Sequence, residues 1–355
     1  MNHRVSIYGA QLLAETIYTA MKSTYKTEVS YFIVTERKGN PEQLDGIEVL
    51  TLSEYLEKNI REQILIAVPE EHHRTITDEL ENYGITDYVC LTSQLRNQIL
   101  RKYYNRIDGF TTLDGVSNLT ISDHPDLEKL FKIYMVRSSR DRLQENKYAL
   151  SEQIEQIQAG AVLDNGSLGI LRDDTGDNIS AKNRDYCELT ALYWIWKNSA
   201  YEYAGLCHYR RVFELSGSEI QRIIQSKVDV ILPYPTIHFP DISAQYIRYL
   251  SKNEWELMRK AILMKSPELQ ASWQSIWKGR FFYNYNMLIA RQEVLHSYCE
   301  WVFDILDIVE QLCREEGIIP SKRYAGYMGE IFATIYFLHY KKDYKIINAG
   351  VDILI

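Results

Sequence analysis

Cysteine is scarce and scattered in this sequence. Five occur in 355 residues, at Cys90, Cys187, Cys207, Cys299 and Cys313, with no CxxC pair. An odd count at such spacings gives neither a disulfide framework nor a zinc site, and reduced thiols of a cytoplasmic protein are expected. Long apolar runs are missing too. No stretch reaches the ~18 residues that a membrane span requires. The nearest, Tyr298 to Cys313, is broken by Glu300, Asp304, Asp307, Glu310 and Gln311 into the pattern of an amphipathic helix. Residues 1–21 lack the apolar core and small-residue cleavage site of a secretory leader. The expectation is a cytoplasmic protein that meets a membrane, if at all, peripherally at its inner face.

Positive charge is not in excess either. Forty Lys and Arg stand against 48 Asp and Glu, a formal charge of −8. That balance excludes a bulk electrostatic grip on nucleic acid or anionic lipid and leaves room only for a local basic pocket. Hydrolase, kinase and zinc-enzyme signatures are absent: there is no HExxH, no GxSxG and no P-loop. His72 and His73 sit on a charged helix, and His3, His124, His238, His296 and His339 stand singly. What is present is an ordinary globular composition, 46% hydrophobic and 25% charged, with 27 Tyr against 10 Phe and 6 Trp. Tyrosine offers a flat apolar face with a polar tip, which suits wet interfaces and stacking on sugars or bases.

The length suggests two domains. In residues 1–92, apolar strands at Arg4–Tyr8, Val29–Val34, Ile64–Val68 and Tyr88–Leu91 alternate with helical patterns at Gln11–Met21, Ser53–Lys58 and Glu70–Tyr83. Such alternation predicts a parallel sheet covered on both faces, a small Rossmann-like α/β domain. Its first turn reads Gly9-Ala10-Gln11-Leu12-Leu13-Ala14, so only the first glycine of a dinucleotide fingerprint is present and Gln11 obstructs close approach of a pyrophosphate. A structural or docking role is expected. Residues 93–125 read as a connection. Residues 126–355 read as a second α/β domain, with strands at Phe131–Val136, Tyr201–Cys207, Val228–Leu232, Tyr285–Ala290 and Tyr344–Ile347. Its helices are expected near Ala149–Gln158, Tyr186–Trp196, Ser218–Ile224, Ile242–Leu250 and Glu254–Met264, then up to Cys313 and over Tyr327–His339.

Three clusters in this second half could carry chemistry. The first, Arg172 to Asn183, holds Asp173, Asp174, Asp177, Asn178, Lys182 and Asn183 around Gly176. Three carboxylates within five residues could bind a divalent cation or sugar hydroxyls, or simply form a solvated, helix-capping turn. The second is the end of an apolar strand, Cys207-His208-Tyr209-Arg210-Arg211. Ligands of open α/β sheets bind outside the carboxyl ends of strands, and arginine forks match phosphate oxygens. The third is Arg323-Tyr324-Ala325-Gly326-Tyr327-Met328-Gly329-Glu330, where Glu330 is either a first-turn carboxylate on a helix or a base brought toward the second cluster. Asn284 and Asn286 are expected on one face of a strand, wanting polar partners from protein or ligand.

At these clusters the chain resembles a known family. LGILRDDTGDNISAKNRDYCELTALYWIWKN and YAGLCHYRR, followed by NYNMLIARQEVLHSYCEWVFDIL and RYAGYMGE, are similar to bacterial capsular and exopolysaccharide glycosyltransferases whose domain was long catalogued as one of unknown function. The resemblance covers roughly residues 130–350. It implies a GT-A-like nucleotide-sugar-binding fold and transfer of a sugar, often galactose in pyranose or furanose form, from a UDP-sugar to a glycan or lipid-linked saccharide. For such a transfer the chemistry of the residues gives the expected roles: His208, Arg210 and Arg211 on the diphosphate, with Asp173, Asp174, Asp177, Asn178, Lys182 and Asn183 on the donor. Asn284, Asn286, Arg323 and Tyr327 are expected on the acceptor. Glu330 is the expected base, with Asp174 or Asp177 as alternatives. The strand end carries no acid, so the expected site is metal-free; Mn or Mg held by Asp173, Asp174 and Asp177 is the alternative. Two other readings stay open: an NAD(P)-dependent sugar-modifying enzyme using the first domain, and a non-catalytic glycan- or nucleotide-binding assembly factor.

Overall fold

The computed structural model describes residues 4–116, 126–141, 151–164, 166–243 and 249–354. The chain divides into two compact units. One comprises Met1–Asp108 with Thr236–Pro240 and Ile355, the other Gly109–Pro235 with Asp241–Leu354.

The first unit is built on β1 (Arg4–Tyr8), α1 (Leu12–Tyr25), β2 (Glu28–Val34), β3 (Gln43–Leu44), β4 (Ile47–Thr51), α2 (Leu52–Glu57), β5 (Gln63–Ile66), α3 (His73–Asn82), β6 (Tyr88–Cys90) and α4 (Ser93–Tyr104). Its sheet runs β3-β4-β2-β1-β5-β6, with every pair parallel except β3 with β4. Val5–Tyr8 and Ile64–Ile66 are continuously buried. That is how a strand reads when helices cover both faces. Tyr8, Ile33, Leu50, Ile64 and Ile66 form one core with Ile76 and Leu80 of α3. Residues 93–104, expected in a connection, form a helix capped by Thr92, whose hydroxyl accepts from the Leu95 amide at 3.2 Å. Residues 117–125 of that connection lie outside the described ones.

The second unit contains β7 (Phe131–Arg137), β8 (Ile154–Gln158), β9 (Leu171–Arg172), α5 (Leu189–Asn198), β10 (Tyr203–His208), β11 (Arg211–Phe213), α6 (Gly217–Gln225), β12 (Val230–Pro233), α7 (Lys252–Lys265), α8 (Gln270–Trp277), β13 (Leu288–Arg291), α9 (Gln292–Glu316), α10 (Tyr324–His339), β14 (Ile346–Ala349) and β15 (Val351–Ile353). Its sheet runs β14-β12-β13-β10-β7-β8-β9, with β11 against β10 and β15 against β11. β10, β7, β8 and β9 are mutually parallel, and β13 enters antiparallel between β10 and β12. One face packs on α5, α9 and α10. α10 is apolar nearly all round, with Met328, Ile331, Phe332 and Ile335 buried, so it lies inside the unit rather than on it.

Both units are α/β, as the alternation predicted. Two elements differ from expectation. Of the helix expected near Ala149–Gln158, residues 149–150 lie outside the described ones and Ile154–Gln158 form the strand β8. Ile154 and Ile157 have helical spacing, but Ile157 and Gln158 are fully buried beside β7, and sheet pairing overrides local pattern. The strand expected from Tyr285 begins only at Leu288, because Tyr285 and Asn286 have φ of 74° and 50°. Residues 244–248 of the helix expected at Ile242–Leu250 lie outside the described ones.

Candidate active site

Because β7, β8, β9 and β10 are parallel, Arg137, Gln158, Arg172 and His208 end on one edge of the sheet. β13 runs the other way, with Leu288 opposite Leu206, so the chain entering β13 arrives at the same edge. There it makes a tight turn at Tyr285 and Asn286 that gathers groups from four elements. His208 Nε2–H donates to the Tyr285 carbonyl at 2.7 Å. The Tyr285 amide donates to Glu330 Oε1 at 2.6 Å. Asn286 Nδ2 donates to Glu188 Oε1 at 2.7 Å and to the Gly326 carbonyl at 3.0 Å. The Arg211 guanidinium lies 4.0 Å from the centre of the Tyr285 ring. Arg323 Nε donates to Cys187 Sγ at 3.1 Å, and its guanidinium lies 5.9 Å from the Tyr327 ring.

The backbone here is strained. Cys187, Tyr285, Asn286 and Arg323 all have φ between 50° and 74°. They are four of the five non-glycine residues with positive φ among the described residues of the second unit. Each such residue costs about 1–3 kcal/mol and persists only where surrounding contacts enforce it, a pattern concentrated at functional sites. Two glycines of α10 make room here, Gly329 for the turn and Gly326 for Cys187. A Cβ on Gly329 would lie 2.8 Å from Asn286 Oδ1 and 2.9 Å from Leu189, and one on Gly326 would lie 3.2 Å from Cys187 Sγ. Burial and the Glu188 charge push the Cys187 thiol up to about 11, against the Arg323 guanidinium, so it is neutral at physiological pH.

The acidic loop behaves differently. Asp173 is fully buried and accepts from the Gly160 and Ala161 amides at 2.8 and 3.0 Å and from the Ser180 and Thr190 hydroxyls at 2.6 and 2.7 Å. Asp174 forms a two-pronged ion pair with Arg172, 3.0 and 2.6 Å, which lowers its pKa. Asp177 accepts from the Tyr193 hydroxyl at 3.3 Å, and its backbone pairs with Asn198. That is the far end of α5 from Glu188, about 15 Å along a ten-residue helix. Asn178 bonds to Gly176 and Ser180 within its own turn. Asn183 reaches the Cys187 carbonyl and the Thr190 hydroxyl. Lys182 pairs with Glu310 at 3.0 Å. The three aspartates therefore point to three different places, and they do not fit the alternative metal site. Among the described residues no group of three His, Cys, Asp or Glu side chains could hold a metal ion.

Of the sequence-predicted residues, then, the edge brings together His208, Arg211, Asn286, Arg323, Tyr327 and Glu330. Arg210 is half-buried, its guanidinium 5.6 Å from the Tyr209 ring, and Asn284 is half-buried beside the turn. Asn284 and Asn286 do not share a strand face, since the left-handed turn replaces the strand there. The sequence reading missed Glu188, Tyr285, Arg137 and Asp141. Asp141 accepts from the Ser138 amide at 2.7 Å and lies 3.6 Å from Arg137 Nε. Burial raises its pKa, opposed by the Ser138 amide and by Arg137 and His208. The strand-end rule that singled out His208 applies equally to the end of β7 and could have found this pair.

Residues 132–342 match the model of a domain of unknown function, DUF4422, and span more than half of the chain. This protein belongs to the DUF4422 family. The DUF4422 region carries the whole strand-edge site. No curated protein matches the chain. Among solved structures it is similar to the apo form of WbbM, a bifunctional glycosyltransferase, with a TM-score of 0.55 and 23% identity over 63% of this chain. The chain spans 45% of WbbM, and the likeness is one of fold. It also matches RSP, a Rex-family repressor, over 25% of this chain and 45% of that one, at 16% identity; a TM-score of 0.23 supports no comparison.

Outside the DUF4422 region, the first unit has an open cavity of about 410 Å³ at the carboxyl ends of β1, β2 and β5, lined by Gly9, Gln11, Thr35, Glu36 and His72 among others. Gln11 donates to the Gly39 carbonyl at 3.0 Å and to Asn40 Oδ1 at 2.7 Å. A Cβ on Gly9 would lie 2.6 Å from the Ala67 carbonyl oxygen, so this glycine serves strand packing. Among the described residues no helix is long and apolar enough to cross a membrane.

Proposed function

We propose that this protein is a nucleotide-sugar-dependent glycosyltransferase that moves a hexose, galactose in pyranose or furanose form, from a UDP-sugar to a growing capsular or other cell-surface glycan. The observation that carries the reading is the convergence of His208, Arg211 and Glu330 on the strained Tyr285–Asn286 turn at the carboxyl edge of the sheet. The fold shared with WbbM and the DUF4422 membership support it.

In this reading Glu330 takes the proton of an acceptor hydroxyl as that oxygen bonds to the sugar's anomeric carbon. The bond from that carbon to UDP breaks, and UDP leaves with the electron pair. Arg210 and Arg211 supply the positive charge that stabilises the departing diphosphate, with His208 beside them. Arg323 and Tyr327 orient the acceptor, and the buried Asn286 holds the turn through Glu188 and Gly326. Asp174 and Asp177 hold their loop, and a metal is not required. Turnover of UDP-galactose measured in excess EDTA checks this. Unchanged turnover is expected; complete loss that manganese restores would overturn the metal-free route.

A second reading, an NAD(P)-dependent sugar-modifying enzyme, is favoured by the first-unit cavity at the strand ends and opposed by the Gln11 side chain across its phosphate position. Calorimetric titration with NAD separates the two, and the transferase reading expects no heat.

A further inference from the structure

The second unit holds three tryptophans away from the strand edge. Trp255 lies on α7, Trp273 and Trp277 on α8, and their indoles meet edge to face with centroids 4.1, 5.2 and 5.7 Å apart. Trp273 is buried, the other two half-buried. They line an open cavity of about 300 Å³ whose rim carries Lys252, Glu256 and Arg259. That volume is at the low end for small-molecule sites.

The mixture of groups narrows the ligand. A pyranose ring presents an apolar face of C–H groups and a belt of hydroxyls. Indoles match the face, and an ion-paired carboxylate and guanidinium match the belt with acceptors and donors. Arg259 and Glu256 form that pair, Nε to Oε2 3.0 Å. A lipid surface is a poorer match. Three of the four cations of α7 are neutralised, Arg259 by Glu256, Lys260 by Glu316 at 2.7 Å and Lys265 by Asp304, which leaves only a small field to attract anionic headgroups.

The segment just before α7 reaches the candidate active site. Tyr249 is 47% exposed and stacks on Tyr327 with centroids 4.9 Å apart. Just beyond it Ser251 caps α7, and Glu254 receives the Ser321 amide and hydroxyl at 2.7 and 2.9 Å. Trp255 follows in the first turns of α7.

We propose that the three-tryptophan cavity is a saccharide subsite that holds a neutral hexose unit of the acceptor glycan, remote from the bond being formed. The word acceptor rests on the transferase reading; the binding of a saccharide does not. The test is tryptophan fluorescence of the full chain titrated with neutral tetrasaccharides of galactose, glucose and mannose, and separately with phosphatidylethanolamine vesicles containing phosphatidylglycerol. A saturable change with at least one tetrasaccharide is expected, weakened about tenfold or more by Trp277→Leu and by Arg259→Ala, as for a lost contact or charged hydrogen bond. Arg259 is on the surface, so its variant tests the site even if Trp277→Leu folds poorly. No saturable change with all three saccharides, an unchanged affinity in Arg259→Ala, or a response to vesicles alone would overturn the proposal. A chain that binds a tetrasaccharide yet turns over no UDP-sugar refutes the transferase reading and leaves the subsite standing; transfer without such binding does the reverse.

Discussion

The loop from Arg172 to Asn183 and the turn at Tyr285–Asn286 are both dense in polar groups, yet they do opposite things with them. In the loop, donors and acceptors satisfy each other: Asp173 alone receives four hydrogen bonds from three segments. A carboxylate so enclosed has no oxygen left for a ligand, and its job is to tie residues 160–161 and 180 to the start of α5. In the turn, the backbone is held in a costly conformation so that His208, Arg211 and Glu330 meet at one edge. Polar density in a sequence therefore says that partners are needed. Whether they come from the chain or from a substrate is decided by burial and by where strain is tolerated.

The comparison can be broken most directly at Asp173. Asp173→Ala leaves two amides and two hydroxyls without their acceptor, and should destabilise the protein by about 3–5 kcal/mol, the range for disrupting a buried charged network. Urea denaturation measures this. A loss under about 1 kcal/mol would mean the loop is not self-supporting, because single hydrogen bonds contribute that little. Glu330→Gln sharpens the contrast from the other side. Glutamine can still accept the Tyr285 amide, so the melting temperature should hold, while turnover falls at least about 10²-fold if Glu330 is the base, equivalent to about 2.7 kcal/mol in the barrier. Near-normal turnover in that variant removes Glu330 from the role.

The strands were legible because apolar runs such as Ile64–Ile66 and Tyr203–Cys207 are buried on both faces and carry no competing period. The end of β10 was legible for the same reason, since the apolar run stops at His208. The turn was not. Nothing in Tyr285-Asn286 announces positive φ, which here is imposed by Glu188 and Gly326 on Asn286 and by His208 and Glu330 on Tyr285. Glu188 was invisible for a related reason: it follows a left-handed Cys187 and meets Asn286 across 98 residues. The glycines Gly326 and Gly329 were the one local signal, two small residues on one face of an otherwise bulky helix.

The smallest expected effect separates the two regions by pH. Arg172 holds the Asp174 pKa down in the folded chain, so its stabilisation is complete above the unfolded value of about 3.9 and is lost as pH falls through the lower folded value. Asp141, at the strand edge, is shifted the other way by burial. The folded state then binds its proton more tightly than the unfolded one, so Asp141 stabilises at low pH and that contribution is lost as pH rises from about 3.9 through the folded value. Melting temperatures of the wild type, Asp141→Asn and Asp174→Asn across the acid range check both signs. Asp141→Asn should lose the wild type's relative gain on acidification above about pH 4, and Asp174→Asn its relative loss below that point. Parallel curves for all three proteins would mean that neither carboxylate senses its surroundings, and the contrast between a closed loop and a charged edge would lose its electrostatic half.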